Sequence, residues 1–188
     1  MTHPLPFEIM ASTRRRFTFL TTGVLVVAIF ATACTSSDGD AAGAHQGGSS
    51  ETELAPAFAV PTQSGEIFSL DEHLASDGRP VFLNLWAAWC FPCREEMPAI
   101  DRASTAHPGV LFIGVDVQDS RSNAEDFLDE IGVSYLIGFD DENVVDNEYQ
   151  PLGLPASYII SSEGVILERI FGLVTEADLA EKFATHFG

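Results

Sequence analysis

Positive charge is what this sequence has least of. Nine Lys and Arg stand against 28 Asp and Glu, a formal net charge of -19 over 188 residues. Three of the nine, Arg14, Arg15 and Arg16, sit together near the N-terminus. No basic stripe remains to meet a phosphate backbone, which excludes nucleic acid as a partner. Three cysteines are too few to staple a small fold. No second C-x-x-C and no H-x-x-x-H completes a zinc site, and His3, His45, His73, His107 and His186 are scattered. No internal repeat is visible. The uncharged stretch Phe17–Ala33 has 17 residues, roughly 25 Å of helix and a little short of a bilayer core. What is present is a hydrophobic share of 46%, enough for a core. The length is that of one domain. An acidic surface of this kind keeps an extracellular domain soluble.

Residues 1–33 read as an export signal. The basic cluster Arg14–Arg16 precedes the uncharged stretch, and the small residues Ala31, Thr32 and Ala33 lead into Cys34. Ala31-Thr32-Ala33-Cys34 resembles a bacterial lipobox, with Ala31 where that pattern has Leu, and so implies a lipidated Cys34. A diacylglyceryl group supplies two chains, enough for stable anchoring. A stray thiol in a signal peptide and an uncleaved anchor stay open as alternatives. Thr13–Phe17 also resembles a twin-arginine signal, which leaves the export route open, and Met10 is as good a start as Met1. From Thr35 to Glu53 the chain is rich in Ser, Gly, Ala and Asp and has no large apolar residue, the composition of a linker. Residues 34–53 would thus form a lipidated tether, and 54–188 a folded domain.

In that domain Phe58–Val60 and Ile67–Phe68 flank a turn and predict a hairpin. Ser69-Leu70-Asp71-Glu72 opens a short helix as a capping box. Val81–Trp86 is a nearly continuous apolar run, the mark of a strand buried on both faces. A helix is expected from Pro92 to about Ala106, a second strand over Val110–Val115, and a helix opened by Ser122-Asn123-Ala124-Glu125 and running to Ile131. Asp140–Tyr149 reads as a short acidic helix or turn. Ala156–Ile160 and Val165–Phe171 form a closing hairpin, and Thr175 opens a last helix with Leu179, Phe183 and Phe187 on one face. The class is α/β with a mixed sheet.

Cys90-Phe91-Pro92-Cys93 follows the buried strand and opens a helix. Two thiols at i and i+3 can form a small-ring disulfide. The first lies where free N–H groups and the helix dipole favour an anion. Thiolate is the nucleophile of disulfide exchange, so the placement raises reactivity. Pro92 suits a first helical turn, where no N–H is needed.

From Ala55 to its C-terminus the chain resembles the thioredoxin superfamily, most closely its exported, membrane-tethered TlpA/ResA-like branch. The residues that carry the resemblance are Ala55–Phe58, Val81–Cys93, Glu95–Pro98, Gly114–Asp116 and Gly153–Tyr158. It implies a thioredoxin fold: a central mixed sheet flanked by helices, with an N-terminal β-hairpin and a helical insert near Asn123–Tyr135. It implies that Cys90 attacks, that Cys93 resolves, and that Pro155 is a cis-proline facing the disulfide. Trp89, Phe91, Pro92 and Leu154 then form the substrate-binding rim, with Trp89 shielding rather than reacting. Thioredoxins proper carry a buried Asp in the strand before the motif, and here that position is Asn84. Glu96 matches a glutamate of the TlpA/ResA branch and is expected to take or relay the proton of Cys93. The alternative for Glu96 is a solvated carboxylate like Glu95.

The expected activity is dithiol–disulfide exchange with no bound cofactor and no metal. Phe91 adds no positive charge, and Glu96 with an acidic surface disfavours the thiolate, which favours a reductant. The resemblance implies reduction of apocytochrome c or similar exported proteins, with electrons from a membrane thiol-disulfide donor, by a monomer on the outer side of the cytoplasmic membrane. The rivals are a disulfide-forming oxidase, a thiol peroxidase and a copper-delivery module. The peroxidase motif P-x-x-x-T-x-x-C is absent, and copper delivery would need C-x-x-x-C.

Overall fold

A computed structural model describes residues 52–188. The expected export signal 1–33, the expected lipidation of Cys34 and most of the expected linker lie outside the described residues. The elements run β1 (Ala59–Pro61), β2 (Ile67–Ser69), α1 (Leu70–Ser76), β3 (Val81–Trp86), α2 (Phe91–Ala106), β4 (Leu111–Asp116), α3 (Arg121–Ile131), β5 (Leu136–Phe139), α4 (Val144–Tyr149), β6 (Ala156–Ile160), β7 (Ile166–Phe171) and α5 (Glu176–Phe187).

All six residues of β3 are buried, which its apolar run requires of a strand covered on both sides. It lies at the centre of a five-stranded sheet ordered β5-β4-β3-β6-β7, parallel to β4 and antiparallel to β6. Side chains alternate across the sheet. Phe82 and Trp86 pack with Met97, Ile100, Phe127 and Phe183 on the side of α2, α3 and α5. Val81, Leu83 and Leu85 meet Phe58, Val60, Val115 and Tyr158 on the other. Each such side chain contributes about 1.5–3 kcal/mol when fully buried. This is a thioredoxin fold: a mixed sheet between helices, extended by the antiparallel β1–β2 hairpin.

Helix starts follow the capping residues. Ser69 accepts the Glu72 N–H at α1, and Thr175 and Asp178 form a reciprocal capping box at α5. Two expectations need correction. Helix α3 starts at Arg121 because Ser120, not Ser122, accepts the Asn123 N–H at 3.3 Å. The region after it, read only as a helical insert to Tyr135, continues into strand β5. That strand pairs in parallel with β4 and touches the hairpin through the Thr62–Gly138 bridge. A Cβ at Gly138 would lie 2.6 Å from Val60 Cγ2, so glycine is what lets hairpin and sheet edge close together.

Register decides which residues share an end of the sheet. The C-terminal end of β3 opens onto Cys90. Leu85 of β3 pairs with Ala156 of β6, and Ala156 with Phe171 of β7, so Pro155 and Phe171 lie at that same end. The chain enters at the other. Glu53, placed by composition at the end of the linker, accepts the Ile166 N–H through its carbonyl and pairs with Arg169 through its carboxylate. Ala55 N–H donates to Gly164 O at 2.8 Å.

Candidate active site

Cys90 is the N-cap of α2, in extended backbone, and its Sγ accepts the Cys93 N–H at 3.3 Å. Its carbonyl accepts from the same N–H at 3.1 Å, so the first turn is closed around the sulfur. Cys90 and Cys93 are disulfide-bonded, with Cα atoms 5.3 Å apart. Cys90 keeps 3% exposure and Cys93 none, so an incoming sulfur reaches Cys90 first. Trp89 and Phe91 stand out on either side of it at 61% and 69% exposure. Pro92 is exposed in the first turn, where its missing N–H leaves nothing unpaired.

The loop that carries Cys90 is held from β4. Trp86 O accepts the Val117 N–H, Asp119 Oδ2 accepts the Ala88 N–H at 2.8 Å, and the Trp89 indole N–H donates to Gln118 O at 3.2 Å. The sequence reading missed Asp119, whose partner lies 31 residues away. The Leu154–Pro155 peptide bond is cis, with Pro155 buried and Leu154 half-buried. Leu152 and Phe171 are exposed nearby in chain and register. The disulfide thus opens on an end of the sheet with several exposed apolar side chains.

Glu96 lies one turn beyond Cys93 on α2 and is fully buried, whereas Glu95 points to solvent. Its Oε1 accepts from Asn84 Nδ2 at 2.8 Å and its Oε2 from the Val174 N–H at 3.0 Å. Burial outweighs both donors and pushes its carboxyl up to about 7. A second buried carboxyl, Asp116, ends β4 opposite Trp86. Burial, then the nearby Asp119 and Asp141 carboxylates, push it up to about 8. Nothing in the sequence pattern singled it out for this. The neighbouring cation on α2, Arg94, is engaged with Glu130 at 2.7 Å and lies over the Phe127 ring. Among the described residues, no group of three or more His, Cys, Asp and Glu is arranged to hold a metal ion.

A disulfide-bonded C-x-x-C at the start of a helix, entered from the central strand of this sheet, defines a thioredoxin-fold thiol-disulfide exchanger. A profile of the AhpC/TSA family matches residues 52–169. The chain is 30% identical over 166 residues to the thiol-disulfide oxidoreductase ResA of Bacillus subtilis, covering 87% of this chain and 90% of that one. It is 33% identical over 129 residues to the thiol:disulfide interchange protein HelX of Rhodobacter capsulatus, covering 68% and 72%. The crystal structure of StoA from Bacillus subtilis superposes with a TM-score of 0.58 at 26% identity, covering 67% of this chain and 95% of that one. The chain belongs to the AhpC/TSA thioredoxin-like family and is a protein thiol-disulfide oxidoreductase of the ResA type.

Proposed function

We propose that this oxidoreductase works outside the cytoplasm, tethered to the membrane through a lipidated Cys34, and reduces disulfides of exported proteins such as apocytochrome c. The observation that carries the direction of exchange is the setting of the Cys90–Cys93 bond. It has a helix N-terminus, a neighbouring Arg94 that is taken up by Glu130, and a carboxyl one turn away that burial pushes up to about 7. Strong oxidants owe their potential to a stabilised thiolate in the reduced form. Here an ionised Glu96 opposes that thiolate. The bond is therefore comparatively stable, and its dithiol is the electron-giving form.

In the reducing direction the Cys90 thiolate attacks one sulfur of the substrate disulfide. That S–S bond breaks, one substrate thiolate leaves, and a mixed disulfide joins Cys90 to the other sulfur. Cys93 gives its proton to the Glu96 carboxylate and attacks Cys90 Sγ. The mixed disulfide breaks, the second substrate thiolate leaves, and Cys90–Cys93 is oxidised. Two electrons have passed to the substrate, and a membrane thiol-disulfide donor returns them. Trp89, Phe91, Pro92, Leu154 and the cis-proline Pro155 receive the substrate segment. The protein acts as a monomer. Among the described residues no helix is long and apolar enough to cross a membrane, and the tether is assigned to the residues before them.

The midpoint potential of the Cys90–Cys93 couple tests the direction. The expected value lies nearer the roughly −270 mV of thioredoxin than the roughly −120 mV of strong periplasmic oxidants. A value in the latter range makes the protein a disulfide-forming oxidase. Glu96→Gln tests the proton step: exchange is expected to slow by about an order of magnitude or more and to lose its pH dependence around 7. An unchanged profile removes Glu96 from the reaction.

A further inference from the structure

Asn84 and Ser157 face each other across the two central strands, as register partners of β3 and β6, and neither is exposed. The Asn84 amide nitrogen donates to Ser157 Oγ at 3.1 Å and to Glu96 Oε1 at 2.8 Å. The Val174 N–H holds the other carboxyl oxygen. Each oxygen of Glu96 therefore has one donor, and the donors come from β3 and from the segment between β7 and α5. On α2 itself Cys93 precedes Glu96 by one turn, β3 supplies Asn84 to the carboxyl, and β6 supplies Ser157 to Asn84. The titratable group in electrostatic reach from outside α2 is the Tyr135 phenol, which burial holds well above its usual 10.0 and so neutral. Among the described residues no cation acts on Glu96.

We propose that Asn84, braced by Ser157, is the positioning residue of this active site: it fixes the Glu96 carboxyl in the orientation from which it exchanges a proton with Cys93 and favours its ionised form. The proposal rests on the acid–base reading of Glu96 given above.

A neutral amide is the side chain this task calls for. A carboxyl at position 84 would lie against the first one, and the two would titrate as a coupled pair. The amide donates to an ionised Glu96 without competing for its proton. It also carries an acceptor. Asn84 Oδ1 has no partner among the described residues. Turning the amide over presents that oxygen to the O–H of a protonated Glu96, while the Ser157 hydroxyl can donate or accept as the turn requires. The pair can thus hold the carboxyl in both protonation states with the backbone still, and more strongly when it is ionised, because the charge-assisted bond is the stronger. Leaving a buried donor unmade is costly, which holds the arrangement in place.

The test follows two signals in the full-length protein between pH 5 and 10. One is the rate at which the mixed disulfide of Cys90 with glutathione resolves to the Cys90–Cys93 bond, the step in which Cys93 gives up its proton. The other is the infrared carboxyl band of Glu96, isolated by subtracting the Glu96→Gln spectrum. Asn84→Leu removes both amide contacts at similar volume. It is expected to move the Glu96 titration, and with it the rate profile, upward by about 0.5–1 pH unit, the excess of a charge-assisted over a neutral hydrogen bond. Ser157→Ala loosens the brace but leaves the donor, and should shift the titration the same way by less. It also covers the case in which Asn84→Leu fails to fold. In the Glu96→Gln background neither change should move the rate profile.

A carboxyl band that titrates at the wild-type pH in a folded Asn84→Leu protein overturns the proposal. If Asn84→Leu fails to fold, a wild-type titration in Ser157→Ala overturns it. A rate shift of equal size in the Glu96→Gln background does so as well. A Glu96→Gln protein with the wild-type rate profile instead sinks the acid–base reading itself, and a shifted carboxyl band would still show Asn84 holding the group.

Discussion

Replacing Cys90 by Ser is expected to bring disulfide exchange down to the rate of buffer alone, the largest effect of any single change in this protein. Cys90 is the sulfur at the helix N-cap, the one that receives the Cys93 N–H and the one with surface to offer. Its thiolate is stabilised where it stands, and Cys93, the other cysteine among the described residues, is fully buried and cannot take its place. Cys93→Ser is expected to behave differently, although it also stops turnover. Attack by Cys90 survives and resolution does not, so substrate accumulates on the protein as a mixed disulfide. Insulin turbidity assays measure the first loss, and a non-reducing gel with a disulfide substrate shows the second. Trapping by Cys90→Ser, with none by Cys93→Ser, would exchange the two roles.

Raising the pH from 5 to 9 is expected to weaken the fold substantially, and Asp116→Asn to restore much of what is lost. Glu96 and Asp116 are buried; burial raises the first carboxyl from 4.5 to about 7, and burial with the nearby Asp119 and Asp141, outweighing Arg121, raises the second from 3.8 to about 8. The folded state therefore binds these protons more tightly than the unfolded chain does. Their contribution is complete below about pH 4 and is lost as pH rises through 7 and then 8. At about 1.4 kcal/mol per pH unit the two gaps set an upper bound of several kcal/mol, which water entry and local relaxation reduce. Asp116 has an oxygen with no hydrogen-bond partner among the described residues, so an amide there gives up little. Asp116→Asn should leave stability at pH 5 nearly unchanged and raise it at pH 9 by about 2 kcal/mol or more, read from urea unfolding at both pH values. Equal stability of the two proteins at pH 9 would show that Asp116 stays protonated or hydrated there.

What the sequence made legible is what local chemistry settles. The C-x-x-C after a buried strand and before a helix, the caps Ser69 and Thr175, and the closing hairpin all depend on neighbours a few residues away. Strand β5 escaped because Leu136-Ile137-Gly138-Phe139 is short, has no alternation and is interrupted by a glycine. Its partners, Val60 and β4, are distant in sequence and become its neighbours only in the fold. The position of α3 was missed by one turn's choice between two serines. At the site, the pairing of Cys90 with Cys93 lay in the spacing, while the surroundings of Glu96 did not. Asn84, Ser157 and Val174 come from three separate elements with no common period, so only the folded register shows that they meet. Asp119 is hidden in the same way, by acting on a loop some 30 residues earlier, and Asp116 by a burial that only the assembled sheet creates.

The arrangement at Glu53 bears on how the molecule can be handled. Glu53 and Ala55, at the start of the described residues, lie at the end of the sheet remote from the disulfide, beside the first residues of β7. A bead, tag or surface coupled at Thr52 or Glu53 grips the molecule by its back and leaves the reactive sulfur turned toward the solution. A coupling made instead through the segment 150–154 would sit on the very end where a substrate has to land.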